Sequence, residues 1–229
     1  MGESHAFSEA RRRRLGPLAV SVGGHCGVGS ATMAAALRAR FRLSCTVVGD
    51  ADSPDADPLG GTDLHVRVIG AAPRRCDVRA CATDALLIVV AGKADVRDDA
   101  QAAAFAAADT LGHQVVPVSA LLASATVGPA DLDALRAREP SDDVLCRFGV
   151  RGVALATARL AAEPGITADA LAASLHAASG IGAVADAIRA ASPEVAKLRD
   201  ARLCRDLRLL AARDVSREEA ERALVGARL

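Results

Sequence analysis

Five short apolar runs alternate with helix-forming stretches, and this alternation constrains the chain more than any other feature. The runs are PLAVSV (17–22), SCTVVGD (44–50), LHVRVIG (64–70), DALLIVVAG (84–92) and HQVVPVS (113–119). Each reads as a strand, and the stretches at 31–41, about 75–83 and 97–111 read as helices. Strands that take turns with helices predict a parallel sheet covered on both faces, hence an α/β fold. Aromatic residues make up only 2% of the sequence, so the core is expected to be built from Ala, Leu, Val and Ile.

The strand pattern stops near residue 128. The segments ADLDALRARE, DDVLCRFGVRGVALATARLAA, TADALAASLHAA and IGAVADAIRAA are helical in composition. Ser192-Pro193 reads as a cap followed by proline in a first turn, and Ser216 with Glu219 fits a capping box. Arg199, Arg202, Arg205 and Arg208 drift round a helix and leave Leu203, Leu207 and Leu210 as a packing face. The expected organisation is a disordered basic tail (1–15), a sheet-bearing domain (16–128) and a helical C-terminal region (129–229).

Charge and cysteine content narrow the function classes. The formal net charge is zero, which argues against a nucleic-acid binder. The basic run Arg11–Arg14 reads first as a solvated tail and second as a contact for anionic lipid headgroups at a membrane surface. Six cysteines stand without a C-x-x-C pair, and five histidines have no ligand spacing, so no metal site is expected. Neither an export signal nor a stretch of transmembrane length is present in the sequence, and a reduced, cytoplasmic setting is the expectation.

SVGGHCGVGSATMAAAL (21–37) joins the first strand to the first strong helix. A phosphate loop has the form G-x-x-x-x-G-K-[ST]: its glycines let backbone N–H groups surround phosphate oxygens, the lysine bridges phosphates and the hydroxyl holds Mg²⁺. Gly24, His25, Cys26, Gly27, Val28 and Gly29 provide the frame here. Ser30 stands in the lysine position, Ala31 in the hydroxyl position, and Thr32 follows. Two other readings compete: a tight strand–helix turn with no ligand, and a weak dinucleotide fingerprint running Gly27-x-Gly29-x-x-Thr32 with Asp50 after the second strand.

Two later pieces lie at strand ends. Gly92-Lys93-Ala94-Asp95 resembles the N-K-x-D guanine motif, whose Asp pairs with the base and whose Lys stem packs over it. Lys93 is one of two lysines among 28 Lys and Arg residues, so it is not compositional background. Ser119-Ala120-Leu121 resembles the S-A-K guanine loop, whose backbone N–H meets the guanine O6.

Taken in order, these pieces resemble the P-loop GTPase superfamily, most closely the short dynamin-like and Ras-like GTPases of high-GC Gram-positive bacteria. That resemblance implies a P-loop NTPase-like sheet, GTP or GDP as ligand, and a C-terminal helical region that meets a protein partner, either an active GTPase or a second copy. The departures are Ser30 and Ala31, and the third strand is followed by Gly70-Ala71-Ala72-Pro73 where D-x-x-G should stand. Thr62 is the one candidate for a switch threonine. Without lysine, hydroxyl and aspartate, most groups that stabilise phosphoryl transfer are missing. The expectation is a pseudo-GTPase with no catalytic residue, in which a role for Mg²⁺ is doubtful. A slow GTPase and a deviant ParA/MinD-like ATPase are the alternatives, the latter on the DxD of VVGDADSPDAD (47–57).

Overall fold

A computed structural model describes residues 5–49, 61–83, 86–212 and 217–226. Asp50 and residues 51–60, Ser216 and the DxD lie outside the described residues. The chain divides into two compact units, Ala19–Arg189 and Met1–Leu18 with Ala190–Leu229.

All five expected strands form in the larger unit: β1 (Ala19–Gly23), β2 (Ser44–Val48), β3 (Leu64–Ile69), β4 (Leu87–Ala91) and β5 (Val115–Pro117). They make one sheet in the order β2-β1-β3-β4-β5, and every pairing is parallel. Helices α2 (Ser30–Phe41), α3 (Arg75–Cys81) and α4 (Ala100–Leu111) connect strands, so the molecule is α/β. β3 is buried at every position, as a central strand covered on both faces must be.

Period-two alternation sorts the strand residues by face. Val20, Val22, Leu64, Val66, Val68 and Val90 are all at most 1% exposed, and α2 contributes Met33, Ala34, Ala36 and Leu37 at 0%. The opposite face joins Ile69, Val89 and Ala91 to Cys81 of α3 and to Ala104, Ala107 and Leu111 of α4. That face also carries a polar seam. Ser21 Oγ lies 2.9 Å from His65 Nδ1, Thr62 donates to Ser21 Oγ at 3.1 Å, and Arg67 Nε donates to Asp77 Oδ1 at 2.8 Å. Arg67 and Asp77 are 3% and 0% exposed. Burial, and then the neighbouring Arg67 charge, push the His65 imidazole down to about 4. Thr62 sits here, before the first residue of β3, and not at the strands' C-terminal edge. The switch-threonine expectation is therefore corrected: the hydroxyl serves the polar seam.

Helices α5 (Ala120–Ala123), α6 (Pro129–Ala137), α7 (Asp142–Ala162) and α8 (Ala168–Ala178) complete this unit. Leu122 and Ala125 share one apolar cluster with Leu135 of α6, Phe148 of α7, and Leu171 and Leu175 of α8. The break expected at residue 128 thus falls inside a continuous core, because the α6–α8 helices bury their apolar stripes against residues that directly follow β5.

The smaller unit corrects the expectation of a disordered tail. Residues His5–Leu15 form helix α1, whose Phe7 is buried with Leu207 of α9 (Ile181–Ala212) and Ala220 of α10 (Arg217–Gly226). Arg199 donates to the carbonyls of Arg14, Gly16 and Pro17 at 3.1, 2.8 and 2.8 Å, satisfying acceptors at the helix's C-terminal end. Arg199 is thereby a cap and not part of a solvated stripe, whereas Leu203, Leu207 and Leu210 pack as expected. In the basic run, Arg13 pairs with Glu9 and Arg14 with Asp200, each at 2.5 Å. α9 runs through Ser192 and Pro193 without starting there. Ser192-Pro193 is therefore not a helix start: proline removes one backbone donor, and the flanking turns carry the helix past it.

Among the described residues, no single helix is long and apolar enough to cross a membrane. None of the six cysteines is in a disulfide, with Cys45 buried and Cys26 and Cys146 exposed.

Candidate functional site

The strand order fixes where a ligand would be expected. In an open parallel sheet, connections leave neighbouring strands in opposite directions at one point, and the crevice outside the strands' C-terminal ends opens there. Here that switch point lies between β1 and β3. Residues 24–29 leave β1 at this place and run straight into α2.

The loop's shape follows from its glycines. Gly27 and Gly29 adopt φ of 84° and 95°, the left-handed region that costs glycine nothing. Gly24 is held for a different reason: a Cβ there would lie 2.2 Å from the Val68 carbonyl oxygen and 2.7 Å from Val28 Cγ2. The chain therefore lies flat on the end of β3, with Val28 buried as its anchor at 4% exposure. Met33 N–H bonds to Gly29 O at 2.9 Å and starts the regular helix. Gly29 caps α2 without a side chain, so the first N–H groups of the helix have no intrahelical acceptor. Ala31 and Thr32 are exposed at this end, as are Cys26 and Gly27. Left-handed glycines ahead of an uncapped helix make a concave row of N–H groups with positive potential.

Two polar atoms in this loop are buried without a hydrogen-bond partner among the described residues: His25 Nε2 and Ser30 Oγ. A buried polar atom left unpaired costs about 1–3 kcal/mol. The Ser30 hydroxyl is turned in toward Gly24, 3.0 Å from the place of a Cβ there. Ala31 has no oxygen to offer, and Gly70, where D-x-x-G should begin, has no side chain. The residues present therefore do not fit Mg²⁺, and no group of three or more His, Cys, Asp or Glu side chains clusters as a metal site among the described residues.

The residues expected to form the guanine-recognition pieces lie after the C-terminal ends of β4 and β5. Lys93 follows β4 with φ of 56° and is exposed. The other two non-glycine residues with positive φ, Arg42 and Arg138, are helix C-caps, whereas Lys93 opens a single 3₁₀ turn, Ala94–Val96. Strain of this kind gathers at functional sites. Asp95 is half-buried and shares a cavity of about 490 Å³ with Ser119, Asp98, Arg151 and Ser179. Asp95 and Ser119 thus line the same cavity. Residues 24–32 are not among the described residues that line this cavity.

Parts of this region are engaged by the chain itself. Ser119 N–H donates to Ser179 O at 2.9 Å, and its hydroxyl accepts from Leu122 N–H at 3.2 Å as the cap of α5. Ala120 is buried, and Leu121 packs on the bend of α7 at Gly149. Arg97 donates to the Gly92 carbonyl at 2.9 Å, and its burial lowers the guanidinium from its ordinary value. The sequence places His25 in the loop's frame but gives its side chain no role of its own. Its signal was a histidine inside a glycine turn, where an open polar ring would otherwise be solvated.

A scan against protein-family models finds no match for this chain, and a search of curated proteins finds none either.

Proposed function

We propose that the chain is a pseudo-GTPase: a P-loop-like α/β scaffold that holds a phosphate-bearing ligand without transferring the phosphoryl group, and acts as a binding or assembly module. The observation that carries this reading is the glycine loop of residues 24–29, left-handed at Gly27 and Gly29 and feeding an uncapped helix at the β1/β3 switch point. The charged parts of a working site are replaced by Ser30, Ala31 and Gly70. Removing one transition-state-stabilising group costs about two to three decades of rate, so the loss of several leaves no useful turnover. Asp95 and Ser119 on one cavity support a preference for guanine over adenine.

The partner surface belongs to the helices after residue 128. Val150 and Leu155 of α7 are 82% and 39% exposed. Large apolar side chains left in water on a packed unit suit a protein contact. Arg12, exposed on α1, is offered for contact with an anionic membrane surface.

Thermal unfolding with GDP, GTP and ATP, each with Mg²⁺ and with EDTA, tests the reading. A ligand at a hundredfold its Kd stabilises by about 2.7 kcal/mol. For a chain of this size that raises Tm by roughly 5–10 °C. Shifts with guanine nucleotides and no phosphate release from GTP support the proposal. Absence of any shift removes it, and magnesium-dependent turnover abolished by Gly29→Val replaces it with a slow GTPase. Stronger binding of ATP would favour a ParA/MinD-like ATPase.

A further inference from the structure

The D-x-x-G position and the phosphate loop meet through one side chain. A Cβ built on Gly70 would lie 3.1 Å from His25 Nε2 and 3.4 Å from His25 Cε1. The imidazole therefore fills the space into which a side chain at residue 70 would project. His25 comes from the loop that follows β1 and Gly70 from the end of β3, so the ring stands at the switch-point crevice itself.

The ring's protonation can be worked out from its contacts. His25 Nδ1 lies 3.0 Å from the Cys26 carbonyl. A carbonyl only accepts, so Nδ1 carries the hydrogen of that bond. In the neutral ring Nε2 is then a bare acceptor, and it is buried with no partner although the residue is only 8% exposed. An acceptor in that state is left uncompensated, and within the loop the Val28 N–H already donates to the His25 carbonyl at 3.3 Å. Protonation reverses this. Nε2–H then becomes a charged donor buried next to Gly70, and a positive group held there calls for an anion.

We propose that His25 provides the positive charge of this site, and that the loop binds a di- or triphosphate group as the free anion, without a metal ion. The proposal rests on the reading of residues 24–32 as a phosphate cradle. Binding takes up one proton from solvent, which goes to Nε2, and no covalent bond changes. Gly70 at the end of β3 and Val28 in the loop bring no charge to the ring, and in its own turn the exposed Cys26 thiol is the titratable neighbour.

The experiment is calorimetric titration of the full chain with inorganic pyrophosphate, in EDTA and in excess Mg²⁺, for the parent, His25→Ala and His25→Gln. The parent should bind in EDTA, and Mg²⁺ should weaken binding by competing for the anion. His25→Ala should lose about tenfold to a hundredfold in affinity, the range for a hydrogen bond from a charged donor. His25→Gln should recover part of the loss through its amide N–H₂. Repeating the titration in buffers of different ionisation enthalpy should reveal uptake of a proton in the parent and none in His25→Gln. Binding that requires Mg²⁺, or an alanine variant with parental affinity, overturns the role of His25 while leaving the phosphate cradle in place. If pyrophosphate, GDP, GTP and ATP all fail to bind the parent under every condition, the cradle reading falls and this proposal falls with it.

Discussion

Replacing Asp77 by alanine tests the polar seam that underlies the sheet's third strand. Asp77 Oδ1 accepts from Arg67 Nε at 2.8 Å, and Oδ2 accepts from the Arg74 N–H at 2.8 Å, in the first turn of α3. Neither charged side chain reaches water, with exposures of 3% for Arg67 and 0% for Asp77. Removing one partner of such a pair strands the other charge, at about 3–5 kcal/mol. Losing the contact that caps the start of α3 adds about 1 kcal/mol. The expected cost of Asp77→Ala is therefore about 4–6 kcal/mol, against a total stability of about 5–15 kcal/mol for a typical domain. Urea unfolding followed by circular dichroism at pH 7 measures it as a fall in midpoint at constant slope. In a thermal scan it should appear as a loss of roughly 10–20 °C. Removing both charges, as Arg67→Met with Asp77→Leu, should recover most of that loss, because the penalty lies in the unpaired charge. A single variant that costs under 1 kcal/mol, or a double variant no better than the single, would refute the buried-pair account.

Other perturbations address the loop, the seam and the helical core. Gly24→Ala should distort the turn or push it off β3, because the added carbon meets the Val68 carbonyl oxygen at 2.2 Å; amide exchange across residues 24–32 should accelerate. Phe148→Ala should cost about 3–5 kcal/mol, since the ring is 0% exposed in the cluster shared by α6, α7 and α8; a denaturant melt reports it. His65 titrates near 4 when folded and near 6.5 when unfolded. The unfolded state therefore binds the proton more tightly. The stabilisation is present above pH 6.5, declines as pH falls toward 4, and amounts to roughly 3 kcal/mol. His65→Gln should flatten the stability profile in that window.

The strands were legible because short apolar runs bounded by turn-forming residues admit few other structures, and all five strands lie within those runs. Two things were not. Helix α1 looks like a solvated tail because its arginines dominate the local pattern, and its partners Leu207, Ala220 and Arg199 are almost two hundred residues away in the chain. Ser192-Pro193 has the chemistry of a helix start, yet α9 passes through it: a local signal worth a few kcal/mol yields to the helical turns on either side. Both failures have one cause. Local propensity is short-range, whereas the contacts that decide these segments are not.

The loop divides in the same way. Gly24, Gly27 and Gly29 could be read directly, since a left-handed turn and a backbone pressed on Val68 leave few residue types available. The arrangement at its centre could not, because it takes two residues that are silent when read singly. Gly70 alone is a glycine after a strand, and His25 alone is a stray polar residue in a glycine turn. Only their apposition turns the missing side chain at residue 70 into room for an imidazole.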